Sequence, residues 1–242
     1  MRILIIRHGD PDYEIDGLTE TGKKEAELLS QKLEGENINE VYCSVLGRAR
    51  LTAEPTLRKK GLTAAYCEWL REFNYVDLPN PEYGSEDVRW DMLPEYMNKF
   101  PELYEKDGWY KSELIKGSDV YESYKAVCDS FDKVLAKNGY VRDGNCYKVI
   151  CPNHNTIAFF CHYGLSGVLL SHIMNCSPYS IWQNALLPPS SVTTVYTEER
   201  REGIASLRVC GIGDISHLYA NGENASFSGR FCETFTDDTR HD

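Results

Sequence analysis

The two most apolar runs in the chain are Ile3 to Ile6 and Ile157 to Phe160 within "TIAFFC". An unbroken run, rather than an alternating one, predicts a strand buried on both faces, as in a parallel sheet. Shorter strands are predicted at "EVYCS" and "LTAAYC". Helical patterns separate them. Thr19 is placed to cap a helix over 20–34, where Ala26, Leu29 and Leu33 share a face and Gly35 follows. "GRARLTAE" starts a second helix, which Pro55 is expected to kink or break. A third, over 119–137, carries the stripe Val120, Tyr124, Val127, Phe131 and Val134, with Gly139 beyond it. "LSGVLLSHIM" reads as a fourth. "SVTTVYT" and "IASLRVC" read as an antiparallel hairpin that closes the sheet.

Strands alternating with helices predict an α/β fold with a parallel sheet. Residues 74–118 break the alternation: they are rich in Pro, Trp, Tyr and acids and show little period. This stretch is expected to be an insertion capping one end of a single domain over 1–242, with Trp90, Tyr96, Trp109 and Tyr110 ordering it. The tail from Gly222 is polar, with a few aromatics.

Composition narrows the classes. A chain of 242 residues, 42% hydrophobic and 26% charged, suits a globular protein with a substantial core. A net charge of -11 argues against nucleic acid as a partner. No apolar run is long enough to cross a bilayer, and the first is too short for a signal peptide. The nine cysteines are scattered, with no CxxC pair. Reduced thiols, a cytoplasmic location and no zinc site are therefore expected.

Candidate chemistry sits at strand ends. His8 and His162 stand directly after the two most apolar strands, each followed within two residues by glycine. In open α/β sheets, ligands bind beyond the carboxyl ends of the strands. Arg7 belongs to the same edge, Arg48 lies near a helix start where backbone N–H groups favour an anion, and Glu72 follows the third strand. Two histidines, two arginines and one carboxylate are expected at one crevice. Asp10 and Tyr13 lie close enough to His8 to line it, as does Tyr163 beside His162. His154, His172 and His217 read as structural.

"LIIRHGD", "LTETGKKEA", "SVLGRARLTAE", "LREF" and "FFCHYG" occur in this order along the chain. Together they resemble the histidine phosphatase superfamily, the phosphoglycerate-mutase-like fold. The resemblance implies a three-layer α/β/α sandwich with a mostly parallel central sheet and an inserted cap. It implies that His8 is the phosphorylated nucleophile, that Arg7, Arg48 and His162 bind phosphate, and that Glu72 donates a proton. There are departures from the mutase pattern. Asp10, Pro11 and Glu14 replace residues usual in mutases, Leu51 stands for a Gln, 75–77 lack a glycine, and Tyr163 splits His-Gly. The resemblance therefore implies a phosphatase-type member, with a phosphoglycerate-type phosphomutase or a non-catalytic phospho-ligand module as rivals.

The residue types suit that chemistry. Neutral imidazole is a competent nucleophile near pH 7. Guanidiniums give paired hydrogen bonds to phosphoryl oxygens, and a protonated His162 would add a third cation. A carboxylic acid can protonate the leaving oxygen if its pKa is raised, with Asp77 as one contributor. No metal and no cofactor are expected. The expected partner is a small phosphorylated substrate, a phosphoprotein being the other type that fits.

Overall fold

A computed structural model describes residues 1–74 and 92–241. Trp90 and Asp77 fall outside them, as does most of the first half of the expected insertion.

The strands are β1 (Arg2–Arg7), β2 (Pro11–Asp12), β3 (Gly17–Leu18), β4 (Ile38–Ser44), β5 (Ala64–Cys67), β6 (Tyr140–Asp143), β7 (Cys146–Val149), β8 (Thr156–Cys161), β9 (Val192–Arg201) and β10 (Ile204–Asp214). The helices are α1 (Glu20–Glu34), α2 (Gly47–Lys60), α3 (Pro94–Met97), α4 (Val120–Lys137), α5 (Tyr163–Met174), α6 (Pro178–Trp182) and α7 (Ser216–Tyr219). Among the described residues, eight strands form one sheet in the order β5-β4-β8-β1-β9-β10-β7-β6, and β2 pairs with β3 in a small ribbon. The four strands β5, β4, β8 and β1 run parallel. From β9 outward the pairing is antiparallel.

The two apolar runs became the central strands. β8 is buried at all six positions, and β1 from Ile3 to Arg7. Alternate side chains feed two cores. Ile3, Ile5, Ile157 and Phe159 pack with Phe131, Leu135, Leu165 and Leu169 on one face. Leu4, Ile6, Ala158 and Phe160 pack with Leu29, Leu33, Ala49 and Ala53 on the other. Helices therefore cover both faces, which makes three layers. The described part of the insertion adds Met97, Leu103, Trp109 and Ile115 to the first core. Trp109 is buried among Tyr110, Tyr121 and Tyr124 and is core, not a ligand contact.

Two expectations change. α2 is continuous through Pro55. The carbonyl that loses its partner there is that of Leu51, an exposed residue, so water can satisfy it. The hairpin of β9 and β10 does not close the sheet, because β7 and β6 extend it further. Their two-residue turn is Gly144-Asn145, with Gly144 at φ 60 in the first central position, a local hairpin signal.

Candidate active site

Register brings the two histidines together. Arg7 is the partner of Cys161 across the parallel β1/β8 pair. The next residues, His8 and His162, leave the sheet side by side with ring centroids 5.1 Å apart. β4, on the other side of β8, ends at Ser44 and leads into α2, whose second residue is Arg48. A short turn over 68–70 separates β5 from Glu72. His8, Glu72 and His162 each present an atom within 4.8 Å of the others. Arg7, His8, Arg48 and His162 are all buried, and Glu72 is half-buried.

His8 is held firmly. Its N–H donates to the Cys161 carbonyl at 3.0 Å, and its carbonyl accepts the Ser190 N–H at 2.9 Å. Nδ1 lies 2.7 Å from the Gly9 carbonyl. A carbonyl only accepts, so Nδ1 carries the proton and the Nε2 lone pair is bare. Burial, then the Arg7 and Arg48 charges, push the imidazole well below its ordinary pKa, outweighing the Gly9 bond. His8 is neutral at pH 7.

His162 is likewise neutral, through burial first and then His8, Arg48 and Arg7. It is therefore not the third cation that a protonated ring would supply. Its Nε2 is 2.8 Å from the Ser44 hydroxyl. That oxygen already accepts the Leu46 N–H at 3.2 Å. With the hydroxyl donating its own proton to Nε2, the ring proton sits on Nδ1, an atom with no partner among the described residues. His162 thus offers a neutral donor.

Arg7 donates Nη1 to the Leu187 carbonyl at 2.6 Å, and its guanidinium lies 5.4 Å from the Tyr163 ring centroid. Arg48 pairs with Asp16 at 2.6 Å. Asp16 also accepts the Gly47 N–H at 2.6 Å. A Cβ at residue 47 would fall 2.2 Å from the Asp16 carbonyl oxygen, so glycine is required where this loop meets α2. Nε of both arginines has no partner among the described residues.

Glu72 Oε1 accepts the N–H groups of Phe73 at 2.8 Å and Leu165 at 3.1 Å. Burial raises its pKa, against the Phe73 N–H, Arg48, the Leu165 N–H and Arg7. With Oε1 occupied twice, a proton belongs on Oε2.

The three expected lining residues differ. The Tyr163 ring faces Arg7, and its hydroxyl donates to the Trp182 and Ala185 carbonyls. Tyr13 is exposed, 5.4 Å from the Arg48 guanidinium. The Asp10 carboxylate is turned to Thr19 and Ser226. His154 is exposed in the loop before β8, at the opposite end of that strand from His162. His172 pairs with Asp132, and His217 with Ser190. The reading from sequence missed Ser44, Asp16 and Ser190. Only Ser44 carried a signal, as the first residue of the quoted "SVLGRARLTAE" segment.

As a chemical device the pocket holds an unprotonated imidazole, two guanidiniums, a neutral donor and a carboxyl group. The two histidines and Glu72 could offer atoms to a metal ion, but the two guanidiniums beside them oppose a cation and favour an anion.

Residues 3–209 match the family model described as the histidine phosphatase superfamily, branch 1. Phosphoserine phosphatase 1 of Hydrogenobacter thermophilus is 24% identical over 228 residues, covering 88% of this chain and 95% of that protein. The structure of a phosphoserine phosphatase from Entamoeba histolytica in complex with phosphoserine aligns with a TM-score of 0.58 at 17% identity, covering 90% of this chain and 98% of that one. A mycobacterial glucosyl-3-phosphoglycerate phosphatase aligns with a TM-score of 0.59 at 16% identity, covering 88% and 98%.

Proposed function

The chain belongs to branch 1 of the histidine phosphatase superfamily, and on that basis we propose that it hydrolyses phosphate monoesters through a phosphohistidine on His8. The observation that carries the reading is His8 itself: a neutral ring, proton held on Nδ1, Nε2 bare, with two guanidiniums alongside.

In the first step Nε2 attacks phosphorus as the ester P–O bond breaks. Glu72, protonated on Oε2, gives its proton to the departing oxygen, which leaves as an alcohol. Arg7, Arg48 and the His162 Nδ1–H hold the non-bridging oxygens. In the second step water attacks the phosphorus, Glu72 takes its proton, and the P–N bond breaks to return His8 and release phosphate. Splitting a slow hydrolysis into two steps at a protein nucleophile is the source of rate. The guanidiniums supply positive charge to the phosphoryl group without a metal, each such donor typically contributing about 10²–10³-fold.

The substrate is a small phosphorylated metabolite, in keeping with relatives named for phosphoserine and glucosyl-3-phosphoglycerate. The nine unpaired cysteines suit a cytoplasmic setting. No helix among the described residues is long and apolar enough to cross a membrane. Release of inorganic phosphate from a panel of monoesters including phosphoserine, with His8→Ala as the blank, tests the reading. Turnover lost in the variant is expected; turnover retained by it would remove His8 from the reaction.

A further inference from the structure

The Gly9 carbonyl that takes the His8 Nδ1 proton is one end of the Gly9–Asp10 peptide group. The other end, the Asp10 N–H, donates to Glu25 Oε2 at 2.7 Å. One planar amide therefore has the imidazole at its oxygen and a carboxyl group of α1 at its nitrogen. Glu25 is only 3% exposed.

The amide has little freedom to turn. Gly9 N donates to the Thr52 hydroxyl at 2.9 Å, which in turn donates to the Arg48 carbonyl at 2.8 Å. A Cβ on Gly22 would stand 2.2 Å from the Asp10 carbonyl oxygen, and one on Gly9 would stand 2.8 Å from that of Gly22. Backbone meets backbone where α1 crosses the loop.

We propose that Glu25 is a positioning residue for His8, acting through the Gly9–Asp10 peptide: its carboxylate polarises the amide, strengthens the Gly9 carbonyl as acceptor of Nδ1–H, and so keeps Nε2 bare and electron-rich. Hydrogen bonds in series polarise one another. A carboxylate that orients an imidazole by direct contact is a familiar device; here an amide stands between the two. The inference rests on His8 being the nucleophile.

The relay depends on the charge of Glu25. Burial raises this carboxyl to about 7, with the Asp10 carboxylate adding to the rise and the Asp10 and Ser226 N–H groups and Arg7 opposing it. Glu20 and Lys24 of α1 and Glu223 of the C-terminal segment line the same cleft. α2 and the segment before α7 also pack on α1. Their charges go elsewhere: Arg58 and Lys59 pair with Glu27, and Asp214 with Lys32. His217 of α7 bonds Ser190.

The test compares the intact protein with Glu25→Gln, which can still accept the Asp10 N–H but carries no charge. Two readouts are taken: the pre-steady-state rate of phosphoenzyme formation against pH, and the ¹⁵N shifts of the His8 ring in phosphate-free protein. In the parent, the phosphorylation rate should rise as pH passes through about 7, and the His8 shifts should move over the same range. In the variant both changes should vanish and kcat should fall about 10–100-fold, the usual cost of losing such a partner, with KM unchanged. A variant with the parent's rate and pH profile would overturn the proposal, leaving Glu25 a structural residue. If the variant does not fold, a parent whose His8 shifts ignore the ionisation of Glu25 overturns it equally. A parent that forms no phosphoenzyme would instead refute the nucleophile assignment, and the nitrogen shifts would still report on the relay.

Discussion

The Ser44 hydroxyl stands 2.8 Å from His162 Nε2 and joins two parallel strands at the point where both leave the sheet. A Ser44 hydroxyl that donates to Nε2 places the His162 proton on Nδ1, the atom that the proposed mechanism uses to hold a phosphoryl oxygen. Ser44→Ala removes that control. A neutral hydrogen bond is worth about 1 kcal/mol net, or roughly five-fold in binding. Competitive inhibition by inorganic phosphate should weaken by about that factor, and Ser44→Thr should restore it. An inhibition constant unmoved by the alanine would mean that Ser44 does not set the tautomer.

Glu72 should matter in proportion to how badly the leaving oxygen needs a proton. An alkyl alkoxide departs poorly, whereas a nitrophenolate departs unaided. General acid assistance is typically worth about 10²–10⁴-fold. Glu72→Gln should lose most of that on alkyl phosphates and much less on p-nitrophenyl phosphate. The acid must be protonated to act and its pKa is raised. Phosphorylation should therefore fall as pH rises past that pKa, and the variant should lack this basic limb. Equal losses on both esters would assign Glu72 to positioning.

Positive charge at the pocket comes from Arg7 and Arg48. Dialysis against EDTA should leave turnover on any accepted monoester unchanged. Loss of activity that a divalent ion restores would show that His8, Glu72 and His162 hold a metal, contrary to the mechanism above.

Stability should carry the mark of Glu25. Its pKa rises from an ordinary 4.5 to about 7 on folding. The folded state then binds more protons than the unfolded state between these values, so this group lowers stability as pH rises through that window. His8 and His162, kept neutral by burial, act oppositely, and their contribution is lost as pH falls below about 6.5. Denaturant titrations of Glu25→Gln should show a stability that climbs more steeply between about pH 5 and 7 than the parent's. Identical slopes would place the Glu25 carboxyl near its ordinary pKa.

Much of this was legible in the chain, for physical reasons. Ile3–Ile6 and Ile157–Phe160 had to be central strands because no surface position suits four apolar residues in succession. Their ends located His8 and His162. What pattern does not encode is which strands are neighbours. The pairing of Arg7 with Cys161 arises from packing, and it is what sets the two rings 5.1 Å apart. The contacts of Ser44, Asp16 and Glu25 were hidden for the same reason, since each partner is distant in sequence. Asp10 read as pocket lining by proximity to His8, yet its carboxylate caps a local network with Thr19 and Ser226. The β6–β7 hairpin was different: its Gly144-Asn145 turn was local and readable. Pro55 misled because the cost of proline in a helix is smaller where the orphaned carbonyl belongs to an exposed residue, as it does at Leu51.

The measurement that bears most directly on the account is rapid acid and base quenching of the protein during turnover of a ³²P-labelled monoester. The account predicts label bound to the protein that survives base, is released by acid, maps to His8, and is absent from His8→Ala. Label on another residue, or none despite a burst of released alcohol, would contradict it.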